Sequence, residues 1–238
     1  MKKILIKKAI VRIFCLIIMA FAINLTMADA FQNVLTESVA AQKSRISFLM
    51  NGTDGKMYNV FIIGENEHLV TGYAWKRTPN DQLYKADSYH AYISEASDAV
   101  STFQYINLFG NNKGYPEYIN RSNPTYTGGV FVIKGEQGQP DILASALQRT
   151  GGGFVDYRFF AIKNGTLRPM KVLYKDQTTT YVLVGTHQKA YALEDGTIAS
   201  PYFIQNNGRN NRWGDYTAVY MPDFTNLVLI HAYTNKDE

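Results

Sequence analysis

The chain has 238 residues, with 24 lysines and arginines against 20 aspartates and glutamates, a formal charge of +4 and a single cysteine. Five of the bases and one of the acids fall within residues 1–30, which leaves 19 of each sign in residues 31–238 and a net charge near zero. No run of bases follows Lys43-Ser44-Arg45, so the clustered cations that track phosphates are missing and nucleic acid is excluded as an expected partner.

The first thirty residues read as an export tag. Lys2, Lys3, Lys7, Lys8 and Arg12 make a positive n-region, and Ile13 to Ile23 is an unbroken apolar run of eleven residues. Ala28-Asp29-Ala30 then places small residues at −3 and −1 before Phe31, the order of a secretory signal peptide. The run is shorter than the ~20 residues of a permanent membrane span. Ile13-Phe14 ahead of Cys15 are not the small residues that lipidation requires. Residues 31–238 are therefore expected to be secreted or periplasmic, with no stable membrane anchor after processing. Cys15 leaves with the tag, so the rest has no thiol, disulfide or thiolate metal site and depends on an ordinary core. About 200 residues suffice for one.

Residues 31–43 carry Phe31, Val34, Leu35 and Val39 on one helical face, and a short helix or a flexible leader both fit. From 44 to 238 the pattern is that of a single β-rich domain. Ile46–Met50 and Met57–Ile63 flank Asn51-Gly-Thr-Asp54-Gly55-Lys56, a hairpin signature. Further strands are expected at 68–75, 89–94, 102–109, 129–134, 141–147, 154–163, 167–174, 180–185, 190–194, 198–205, 216–220 and 227–233. Asn164-Gly165 and Asp195-Gly196 mark two more hairpins. The segment 110–129 is rich in Gly, Asn and Pro and reads as a long loop or sub-boundary, and 206–215 as a shorter polar loop. Many short strands between turns argue an all-β fold: an antiparallel sandwich, a barrel or a small propeller-like arrangement.

Gly138-Gln-Pro140-Asp141-Ile142-Leu143, then Gly151-Gly-Gly153 and the Asn164-Gly165 hairpin, resemble one blade of the FG-GAP/VCBS-type repeats of secreted bacterial β-propellers, over about residues 129–174. In that family an acidic turn before the "x-P-D-I" strand coordinates calcium. Here Ile133, Gly135 and Gln137 stand at the ligand positions, so the resemblance implies the blade without the ion, and no metal site is expected.

None of His68, His90, His187 and His231 has a partner at metal-ligand spacing. Asp87, Ser88 and His90 crowd together, but sequence neighbours on a strand point to opposite faces, which is not triad geometry. No nucleophile elbow, P-loop or dinucleotide fingerprint occurs, and no cofactor is implied. Seventeen tyrosines are a high count for this length. Asn211, Arg212, Trp213 and Asp215 lie together in the polar loop, where an indole ringed by amide, guanidinium and carboxylate can stack on a sugar and bind its hydroxyls. The expectation is an exported, non-catalytic binding or interaction module for carbohydrate or another cell-envelope component. A secreted hydrolase acting on glycan or cell-wall material, through carboxylates paired only in space, and a structural envelope protein are the alternatives.

Overall fold

The computed structural model describes residues 35–69, 82–96, 106–107, 117–120, 129–149, 155–180, 183–185, 189–204 and 214–237. Asn33–Glu238 forms one compact unit. After helix α1 (Glu37–Lys43) come β1 (Ile46–Asn51), β2 (Met57–Glu65), β3 (His68–Leu69), β4 (Leu83–Ala86), β5 (Ser88–Glu95), β6 (Ile106–Asn107), β7 (Glu117–Asn120), β8 (Val130–Ile133) and β9 (Ile142–Arg149). Then follow β10 (Val155–Lys163), β11 (Thr166–Pro169), β12 (Lys171–Leu173), β13 (Thr179–Thr180), β14 (Leu183–Gly185), β15 (Tyr191–Ala192), β16 (Ile198–Ile204), β17 (Gly214–Asp223) and β18 (Val228–Lys236).

The fold is all-β. Four sheets run β1-β2-β5-β6, β3-β4-β7, β8-β9-β10-β11 with β14 also on β10, and β13-β12-β18-β17-β16-β15. No sheet closes on itself among the described residues, so the barrel is set aside for a sandwich-like stack. Pairing is antiparallel except for β12 on β18.

The stack has three layers, with the sheet of β8–β11 in the middle. One of its faces puts Val130, Leu143, Phe160 and Ile162 against Met50, Val60, Ile62 and Tyr89 of the first sheet. The other puts Phe131, Ile142, Ala144 and Phe159 against Val172, Ile198, Ala218 and Tyr220 of the last. Because side chains alternate, a strand buried on both faces needs apolar residues at every position. Val130-Phe-Val-Ile133 and Phe159-Phe-Ala-Ile162 are such runs.

Residues 37–43 are helical, capped by Thr36, whose Oγ1 accepts from the Val39 N–H at 3.4 Å. The Glu37 carboxylate accepts from Asn59 Nδ2 (3.1 Å) and Ser94 Oγ (3.2 Å), fastening α1 to β2 and β5. Two sequence expectations are corrected. Segment 110–129 contains β7, which pairs with β4, a strand the sequence pattern does not announce. The expected strand 167–174 breaks at Pro169: β11 stays on β10 while β12 crosses to β18. The Met170 N–H still donates to Phe159 O at 2.8 Å, so the chain changes sheet just after Met170. Pro169 sits on β11, an edge strand, where a missing N–H costs no ladder bond.

Hairpin chemistry divides by sequence. Asn164 and Gly165 are both left-handed (φ 51° and 67°), the two-residue turn expected. At Asp54-Gly55, Asp176-Gln177 and Asp195-Gly196 only the second residue is left-handed, at 76°, 68° and 82°. Each is a three-residue loop in which Gly52, Tyr174 or Leu193 accepts the N–H of that residue. Each aspartate also accepts the N–H two residues on, from Lys56, Thr178 and Thr197.

A buried carboxylate joins the first two layers. Asp141, 1% exposed, accepts from the Asn51 N–H (2.8 Å), the Gly135 N–H (2.9 Å) and Lys134 Nζ (2.9 Å). Its own N–H donates to Asn51 O at 3.0 Å. Gln137, at a position where the blade family has a ligand, gives its amide to Glu194 O at 2.8 Å. Gly135 is required by space: a Cβ there would lie 2.2 Å from Gln139 O.

Candidate functional site

Of the four residues expected to form a site, Asn211, Arg212 and Trp213 lie outside the described residues, as do His187 and Trp75. Asp215 is exposed on β17, where its carbonyl accepts the Asp237 N–H at 2.9 Å. The structure places beside it a set of side chains that sequence reasoning did not assemble.

On the face of the last sheet that also carries Ala218 and Tyr220, three cross-strand rows follow one another. Ile198, Tyr220 and His231 form the first, Ser200, Ala218 and Thr234 the second, and Tyr202, Tyr216 and Lys236 the third. The middle row is small and buried, with Ser200 at 1% and Ala218 at 4%, and the aromatic rows lie about 13 Å apart along the strands, four residues at ~3.3 Å each. The first row belongs to the buried core, with Tyr220 and Ile198 each 2% exposed. Ala218 of the second row packs in the same core against the middle sheet, whereas farther out Tyr202 and Tyr216 are half-buried and Thr234 and Lys236 exposed, so this face comes to the surface at the third row.

Ring geometry is well defined. Tyr202 and Tyr216 stack with centroids 5.8 Å apart at 26°. Tyr220 meets His231 edge-on at 5.5 Å, and Tyr174, just past β12, lies 6.2 Å from the same imidazole. Burial, reinforced by Tyr174, holds the Tyr220 hydroxyl protonated far above its usual range. Burial first and the Lys175 charge second lower the His231 pKa, which favours a neutral ring at neutral pH.

A β-bulge makes this arrangement. The ladder slips between Val219 and Tyr220, so Val219 faces Tyr233 while Tyr220 faces His231. The extra residue on β18 turns His231 and Thr234, three apart, onto one face, and His231 Nε2 lies 2.8 Å from Thr234 Oγ1. Counting residues by twos would send these side chains to opposite faces. Ser200 Oγ is buried and has no hydrogen-bond partner among the described residues. The 205–213 connection, which includes Trp213, leaves from Ile204 and returns at Gly214, a paired position one step beyond Asp215 and two beyond Tyr216.

A second polar cluster lies on the first sheet. Ser88 and His90, two apart on β5, share a face and touch through Ser88 Oγ and His90 Nε2, and Ser88 Oγ donates to Glu65 Oε2 at 2.8 Å. Asp87 takes no part; it accepts from Asn66 Nδ2. The sequence reading that separated these neighbours thus holds for Asp87 but not for Ser88 and His90. Even so, the carboxylate and the serine sit at the same imidazole nitrogen, with Glu65 Oε2 3.8 Å from Nε2. A triad needs its acid on the nitrogen opposite the nucleophile. Burial lowers the His90 pKa to about 4, the wrong direction for a general base at neutral pH.

Comparison with protein-family models, with curated proteins and with solved structures finds no match to this chain.

Proposed function

We propose that the chain is an exported, non-catalytic binding module whose ligand is a glycan or another cell-envelope component. The observation that carries this reading is the half-buried stacked pair Tyr202 and Tyr216, near the paired positions Ile204 and Gly214 between which the chain runs through Trp213. Tyrosines with one apolar face and one hydroxyl suit a ring that is apolar on its faces and polar at its edge. Meander sheets stacked face to face also suit the blade-type repeats that Pro140-Asp141-Ile142 resembles. The first thirty residues supply the export element of the reading.

Two measurements test it. N-terminal sequencing of the exported protein is expected to begin at Phe31, and a form still starting at Met1 removes the export element. Co-sedimentation with peptidoglycan sacculi and insoluble polysaccharides is expected to retain the wild-type chain. Trp213→Ala and Tyr216→Ala should each weaken retention by about 1–3 kcal/mol, the scale of stacking on an aromatic ring. If Trp213→Ala instead costs about 3–5 kcal/mol of stability, the indole is a core lid and leaves the site.

A further inference from the structure

Sulfur in residues 31–238 is confined to four methionines, because Cys15 is the only cysteine. The stack sorts them into two pairs. Met50 and Met170 are 0% exposed, Met50 in the core between the first and middle sheets and Met170 in the core between the middle and last. Met57 and Met221 are 52% and 53% exposed. Strand alternation makes the division. Tyr58 and Tyr220 turn into the two cores, so Met57 just before the one and Met221 just after the other turn outward. Met57 stands across from Asn51, one position along β1 from Met50, and Met221 stands across from Ile230. Each half of the stack therefore holds one thioether in water and one sealed in its core.

We propose that Met57 and Met221 are modification sites for peroxides, a surface pair that consumes oxidant ahead of the core thioethers. The sulfur lone pair attacks one peroxide oxygen, and an S–O bond forms as the O–O bond breaks. The departing oxygen takes the proton of the transferred one and leaves as water. Sulfur gives up two electrons and the peroxide gains them. A thioether needs no deprotonation for this step, so access to solvent decides which sulfur reacts. The polar sulfoxide is tolerated on an exposed strand face, whereas at Met50 or Met170 it would set an S–O dipole in a packed core. Regeneration takes two thiols, which carry the oxygen off as water and become a disulfide. No thiol lies in residues 31–238, so that reduction belongs to separate methionine sulfoxide reductases, one for each sulfoxide epimer. The chemistry is independent of what the chain binds.

The test treats the full chain with hydrogen peroxide and follows each of the four methionines by peptide mass spectrometry. Met57 and Met221 are expected to gain oxygen roughly tenfold faster than Met50 and Met170, since susceptibility follows exposure. In urea above the unfolding midpoint the four rates should converge. The chain oxidised at Met57 and Met221 alone should melt close to the untreated one, and the two reductases together should return both residues to the thioether. The double variant Met57→Leu/Met221→Leu conserves volume at exposed positions and should unfold as wild type does. At a limiting dose of peroxide it should carry more oxygen on Met50 and Met170, and lose more folded protein, than the wild type. Similar rates at all four methionines in the folded chain overturn the assignment of the sites. Equal oxidation of Met50 and Met170 in the variant and the wild type overturns the protective role.

Discussion

Replacing Asp141 with alanine is expected to destabilise the protein by about 3–5 kcal/mol, the largest effect of any single substitution considered. The carboxylate is 1% exposed and joins two layers. It takes the Asn51 N–H from the end of β1, the Gly135 N–H from the β8–β9 turn, and Lys134 Nζ, which also donates to Leu49 O at 2.6 Å. Truncation leaves two backbone donors in a site sealed from water, at ~1–3 kcal/mol each. It also removes the partner of a cation whose side chain is 62% exposed, a smaller loss because water takes over. Asp141→Asn keeps the shape and one acceptor oxygen but turns an NH2 toward a donor, so it should fall between the wild type and alanine. Urea melts of the three proteins check the order. A loss below 1 kcal/mol for alanine would show that the layers are held without this joint.

Much of the stack was legible in the sequence, for a physical reason that also sets the limit. Strands such as Met57–Glu65 and Val155–Lys163 announce themselves because β-branched and aromatic residues fill them between Gly, Asn and Asp turns. That Val130–Ile133 lies in a middle layer is implied by its lack of polar alternation, but the identity of the layers on either side depends on long-range pairing. The strand Glu117–Asn120 was not legible, because it is short, set among Gly, Asn and Pro, and held by β4 rather than by its own propensity. At the candidate site the sequence offered Trp213 and its polar neighbours, and a tyrosine count too high to ignore. It did not offer the rows. Tyr202 and Tyr216 are fourteen positions apart and meet only through the β16–β17 register, and His231 meets Thr234 only because a bulge shifts the parity of β18. The Ser88–His90 contact, by contrast, follows from a spacing of two, which a parity count alone would have found.

Acid should weaken the fold through His90. Its side chain is 2% exposed on β5, beside Ser88 and the β6 neighbour Asn107, with Glu65 Oε2 3.8 Å from Nε2 as its counter-charge. Burial is the main cause of a pKa lowered from 6.5 to about 4, and the attraction of Glu65 opposes it without prevailing. The folded-state pKa therefore lies below the unfolded one, and the unfolded chain binds the proton more readily throughout the interval. Stability from the neutral ring is present in full above pH 6.5 and is lost as pH falls toward 4, by about 3 kcal/mol over the window at ~1.4 kcal/mol per pH unit. Carboxylates titrate in the same range, so the wild-type curve alone does not isolate the histidine. His90→Gln keeps a side-chain donor for Ser88 Oγ and cannot titrate. The variant should be less stable than wild type at pH 7, by about 1 kcal/mol for the altered packing and hydrogen bond. The gap should then close and reverse toward pH 4, where the wild type pays for charging a buried ring. Denaturant melts of both proteins at half-unit steps from pH 7.5 to 4 decide it. Parallel curves across the window would place the charged imidazole within reach of water, and Glu65 rather than burial would then set its pKa.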